Sequence, residues 1–139
     1  AAQANVLEVE VDTPLLKVER VILGDDRPVA FLVDILPENV LDASELEVGF
    51  SGSVLDFVLQ RGMPVLRNSF TEINAVAAPS DIARSLEIQR GDVLLMHKAR
   101  LYDDAGRVVI FSESFFIPGY FRFHVIRKVP VQAAIKSSD

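Results

Sequence analysis

The chain has 139 residues, half of them hydrophobic, and a formal net charge of −6. That is one domain's worth of sequence, with enough apolar material for a core and too acidic a balance for a nucleic-acid surface. It contains no cysteine, which excludes disulfides and thiolate chemistry and fits a cytoplasmic location.

No apolar run reaches the ~18 residues of a membrane span. The opening stretch "AAQANVLEVEV" lacks the basic-then-apolar layout of a signal peptide, and it begins without Met, as a piece of a longer protein would. "NVLEVEV" alternates with period two and reads as a first strand. Leu15 to Leu23, the turn "GDDR" and Pro28 to Leu36 read as a hairpin. "LPENVLDASEL" reads as a loop with one helical turn. In "GFSGSVLDFVLQRG" a short helix is expected, with Ser53 as N-cap, Asp56 three residues on, and Gly62 as the stop. Ser69 to Val76 is the next strand. "APSDIARSLEI" is a second short helix, entered at Pro79 or Ser80 and followed by a turn at Gly91. A second hairpin runs from Val93 to Tyr102 and from Arg107 to Phe116. "IPGY" turns the chain into a last strand, "FRFHVIRKV", and the tail is expected to fray. The expected class is α+β: one antiparallel sheet of about six strands with two or three short covering helices.

The two hairpins resemble each other. Both open on Leu-Leu, break at an Asp/Gly-rich turn and resume with Val-x-Phe, at Val29 and Phe31 and again at Val109 and Phe111. The second turn is one residue longer. Where the second copy has Ala99, the first has Arg20.

Alternate strand residues share a face. Leu16, Val18, Arg20 and Ile22 therefore share one face of the first hairpin, and Ala30, Leu32, Asp34 and Leu36 one face of its return strand. Arg20 and Asp34 are each a lone charge in an apolar row. Such charges need a partner, because burying one alone costs several kcal/mol. An edge position, a mutual ion pair or a ligand would each serve, and an arginine fork suits a carboxylate or phosphate. In the second hairpin, Val108, Ile110, Ser112, Ser114 and Phe116 alternate together. Ser112 and Ser114 could bond a ligand's oxygens or face solvent. Lys98, Arg100 and Tyr102 read as a solvated stripe, and His97, in an apolar row, as a core histidine.

Catalytic signals are weak. "GFSGS" has Ser53 where a nucleophile elbow needs glycine, there is no phosphate-binding loop, and the two histidines lack metal-ligand spacing. The helix start at Ser53 could hold an anion or simply be capped. No catalytic residue, metal or cofactor is expected.

The pattern as a whole is more specific than its parts. "KVERVILGDDRPVAFLVDILP", "GSVLDFV", "EINAVAAPSDIARSLEIQRGDVLL" and "RLYDDAGRVVIFSESFF", from about Leu15 to about Phe123, together resemble the UTRA domain. That is the effector-sensing half of HutC-type GntR transcriptional regulators. The resemblance implies a chorismate lyase-like fold with a ligand pocket between sheet and helices. It also implies a non-enzymatic homodimer, and DNA binding only through a winged helix-turn-helix domain that these residues do not include. Arg20 matches the first arginine of the family's usual Arg-x-Arg pair, Glu72 its acidic residue on the middle strand, and Ser112 and Ser114 its paired serines. Asp34 joins them as a ligand-binding candidate. Three usual polar positions are apolar here, namely Ile22, Leu32 and Ile110. They are expected to line a greasier pocket, which favours an organic acid over a phosphosugar. A chorismate lyase-like enzyme and a dimerisation module with a vestigial pocket are the alternative readings.

Overall fold

The computed structural model describes Leu7, residues 13–41 and residues 53–130. Within them, strand β1 spans Leu15–Gly24, β2 Arg27–Pro37, β3 Leu66–Ala77, β4 Val93–Asp103 and β5 Val108–Phe116. Helix α1 spans Val54–Arg61 and α2 Ser80–Leu86. The five strands make one antiparallel sheet in the order β1-β2-β5-β4-β3. The class is the expected α+β, with two short helices.

The two hairpins, β1–β2 and β4–β5, meet at the centre of this sheet through β2 and β5. Val33 faces Glu113 directly in that pairing. These are equivalent positions of the two sequence copies, so the local two-fold of the repeat passes between them. Both hairpins also carry a bulge at the same place. Pairing skips Val29 between Ile22/Leu23, and it skips Val109 between Leu101/Tyr102. An extra residue in one strand bends the ladder and changes the facing of the residues beyond it. Strict alternation had placed Val108 with Ile110. Because of the bulge, Val108 instead joins Phe111 and Phe115 on one side, while Val109 packs with Ile110 on the other.

The turns differ as their lengths require. Asp25 and Asp26 both take positive φ, at 53° and 65°, the geometry of a two-residue turn whose twist matches its strands. In the longer second turn, Asp103 accepts hydrogen bonds from the N–H groups of Ala105 and Arg107, each at 2.9 Å. Its carboxylate also pairs with the Arg107 guanidinium at 3.1 Å.

Among the described residues, each face of the sheet is covered by one helix. On α2, Ile82, Ala83 and Leu86 are buried against Phe31, Val33, Ile35, Leu94, Phe111 and Phe115. On α1, Val54 and Val58 are one turn apart and both fully buried, against Leu36, Leu101 and Ile110. The start of α1 is fixed as its sequence suggests. Ser53 Oγ accepts the Asp56 N–H at 2.9 Å, a cap that contributes about 1 kcal/mol. Gly62, at φ 80°, ends the helix in the left-handed region that favours glycine.

Two expected elements differ. The first strand and the loop before α1 lie largely outside the described residues; Leu7 alone is placed there, buried beside the α2 face. The last strand does not form. Residues 121–130 have no ladder partner among the described residues, and Val125, Ile126 and Val129 are exposed. Apolar alternation is insufficient for a strand without a neighbouring edge to pair with. The described sheet therefore has five strands rather than six.

Candidate functional site

The face under α1 collects one row of side chains from every strand. Arg20 lies opposite Leu32, and Asp34 opposite Ser112. Further along the rows, Ser114 faces both Leu32 and His97, Ala99 faces Ser112 and Thr71, and Leu101 faces Ile110 and Ser69. Over this floor α1 presents Ser53 and Leu55. A cavity of about 300 Å³ lies between them. Arg20, Leu32, Asp34, Ile110, Ser112 and Ser114 all line it. The volume is at the lower end of the usual range for small-molecule sites.

Arg20 and Asp34 sit on adjacent strands, one step apart diagonally, close enough for long side chains to interact. The Ser112 hydroxyl donates to Asp34 Oδ1. Burial pushes the Asp34 carboxyl above its ordinary value, opposed by the Ser112 hydrogen bond and the Arg20 charge. A raised carboxyl binds its proton more tightly in the folded chain than in the unfolded one. Stability is thus expected to fall as pH rises from the ordinary aspartate value, near 3.9, to the raised one, and to level off above it. Asp34→Asn should flatten that decline, which urea titrations between pH 4 and 8 would read. An unchanged slope would show that Asp34 does not titrate in the window.

At the far end of the floor lies an aromatic group. The His97 ring centroid is 4.8 Å from that of Phe116 and 4.3 Å from that of Phe123, while Phe121 stacks on Phe123 with centroids 5.8 Å apart. Burial holds the His97 imidazole below its usual pKa, and its Nε2 has no hydrogen-bond partner among the described residues. The expected core histidine is thus only half-buried, held among aromatic rings beside the cavity rather than in either core cluster.

Two expected site residues are not at the cavity. Glu72 lies opposite Lys98, on the other face of the sheet, next to the Lys98–Glu113 pair. The neighbouring Thr71 points to the cavity in its place. Ile22 is on the correct face but pairs with Ala30 at the hairpin end, beyond the lining. Ser53, weighed in the sequence as an anion site or a cap, also lines the cavity, and the residues that sequence reasoning passed over are Leu55, Ser69, Thr71, Ala99, Leu101 and Phe116. Ser69 and Thr71 carried a signal, a pair of hydroxyls two apart on a strand, but choosing their face needed the register. The basic stripe Lys98, Arg100 and Tyr102 lies away from the cavity, but it is half-buried rather than solvated, with Tyr102 packed against the core under α2. Among the described residues no group of three or more carboxylate or imidazole side chains could hold a metal ion.

The model of the UTRA domain family matches residues 1–122. The chain belongs to the UTRA family. UTRA domains are the ligand-binding regulatory domains of GntR-family transcription factors and are not an enzyme family. The chain is similar in structure to a GntR-family transcriptional regulator from Enterococcus faecalis, with TM-score 0.76 and 24% identity over 91% of this chain and 90% of that one. It is likewise similar to the effector domain of PhnF from Mycobacterium smegmatis, with TM-score 0.76 and 20% identity over 92% and 78% of the two chains. Against the longer PhnF structure from the same organism the TM-score is 0.81 at 19% identity, and the match covers 93% of this chain but 57% of that one. No curated protein matches the chain. No helix among the described residues is long and apolar enough to cross a membrane.

Proposed function

We propose that this UTRA domain senses a small organic acid with an apolar body, as part of a HutC-type regulator working in the cytoplasm. Residues 1–139 act as one sensing domain, and the signal passes to a separate winged helix domain that contacts DNA. The observation that carries this reading is Arg20 on the floor of a largely apolar cavity, with Ser112 and Ser114 beside it. An arginine offers an acid a charge-assisted fork. Leu32, Leu101 and Ile110 give an apolar body about 25 cal/mol per Å² removed from water. A sugar phosphate would leave several hydroxyls facing these side chains, at about 1–3 kcal/mol for each buried group left without a partner.

Self-association as a two-fold homodimer through the sheet or its adjoining loops belongs to this reading. Among the described residues β3 is an outer strand of the sheet, with Phe70 and Ile73 exposed on it, a place where a second chain can pair.

The test is a thermal-shift panel of aromatic acids, fatty acids, amino acids and sugar phosphates. Stabilisation by an acid with an apolar body, and none by sugar phosphates, is the expected result. Stabilisation by sugar phosphates alone would overturn the ligand class. Stabilisation by nothing would favour a dimerisation module with a vestigial pocket.

A further inference from the structure

The polar side of the cavity is built for both signs of charge. Arg20 is a donor-only cation. One diagonal step away, Asp34 is an acceptor-only anion when ionised. The Ser112 hydroxyl already donates its one hydrogen bond to Asp34 Oδ1, so towards the cavity Ser112 presents lone pairs alone. Asp34 and Ser112 therefore form a patch of acceptors beside the arginine. A second carboxylate arriving there meets acceptors it cannot bond and a negative charge that repels it. Acceptors of this kind match a group with several N–H donors and a positive charge.

Electrostatics point the same way. A simple carboxylate held by Arg20 lies near an ionised Asp34, and at a separation of about 7 Å and an effective dielectric near 20 the repulsion amounts to at least about tenfold in affinity. A ligand that also carries a cationic nitrogen offsets that repulsion. Its carboxylate takes the Arg20 fork, its nitrogen lies at Asp34 and Ser112, and its apolar body runs over Leu101, Ile110 and Phe116. An engineered apolar cavity of ~150 Å³ takes one benzene. A volume of about 300 Å³ accordingly suits a ligand the size of an apolar amino acid.

We propose, resting on the effector-sensing reading above, that the effector is a zwitterion, an amino acid-like compound whose cationic nitrogen is held by Asp34 and Ser112 while Arg20 holds its carboxylate.

The experiment is calorimetric titration of the whole chain with two matched series. One is phenylalanine, 3-phenylpropanoate and 2-phenylethylamine; the other is leucine, 4-methylpentanoate and 3-methylbutylamine. Each amino acid is expected to bind at least about tenfold more tightly than either partner lacking one charge. In Asp34→Asn, a near-isosteric change, the gap between amino acid and deaminated acid is expected to close. A deaminated acid that binds the wild type as tightly as its amino acid overturns the proposal, as does a gap that persists in Asp34→Asn. The wild-type comparison stands whether or not the variant folds. If deaminated acids bind best and need Arg20, the organic-acid reading survives and the zwitterion falls. If both series are silent while another simple acid of the wider panel binds, the zwitterion falls in the same way; silence from every acid overturns both.

Discussion

Arg20→Ala is expected to weaken the binding of an acidic effector by roughly 10- to 100-fold, the loss of a hydrogen-bonded contact to a charged group worth about 1.5–3 kcal/mol. The guanidinium sits on β1 with its side chain turned onto the cavity floor, so the change removes the fork without touching the apolar walls. It also removes the positive charge that opposes the burial of Asp34. The Asp34 carboxyl then moves higher still and is protonated more readily, which limits the damage to the fold. Titration calorimetry with an acid identified by the panel measures the loss, and the melting temperature of the ligand-free variant shows whether the domain remains intact. Lys98→Ala is the control. Lys98 lies on the opposite face beside Glu113, and its removal should leave affinity unchanged. A folded Arg20→Ala that binds the acid as well as wild type would remove Arg20 from the site.

The largest effect on stability is expected from Leu94→Ala. Leu94 is 0% exposed, at the start of β4, where the strand runs beneath α2 among Ile82, Ala83 and Leu86. The change removes apolar contacts and leaves a void that a sheet clamped under a helix cannot close, which costs about 2–5 kcal/mol. That corresponds to a drop in melting temperature on the order of 10 °C. Val93, one residue earlier, is 61% exposed. Val93→Ala should stay within about 0.5 kcal/mol. Equal losses from the two variants, by urea or thermal unfolding, would contradict the assignment of this face as core.

What could be read within one segment was legible in the sequence. Ser53, Asp56 and Gly62 announced both ends of α1, because caps are local chemistry of backbone N–H and C=O groups within a few residues. The hairpins were legible because a tight turn sets the pairing of the two strands it joins. Within the first hairpin alternation marked Arg20 and Asp34 as lone charges in apolar rows, and the register then put both on the cavity face. The run "EINAVAAPSDIARSLEIQRGDVLL" was legible too, since it combines a helix, its stop and the next strand.

The rest depended on pairings between distant segments. Nothing local in β3 says whether Glu72 or Thr71 faces the cavity; the long-range register with β4 decides it, and a shift of one residue would exchange them. Ile22 had the right parity and the wrong position along the strand, because only the sheet and α1 together mark where the cavity ends. Val108 and Val109 changed sides at a bulge that alternation cannot reveal. Residues 121–130 had the alternation of a strand and found no edge to pair with among the described residues. Residue type and local spacing thus determined the hairpins, the two helices and the two lone charges of the first hairpin. Which side chains share the cavity was decided by tertiary structure, because backbone hydrogen bonding between strands far apart in the chain sets the face of every residue at once.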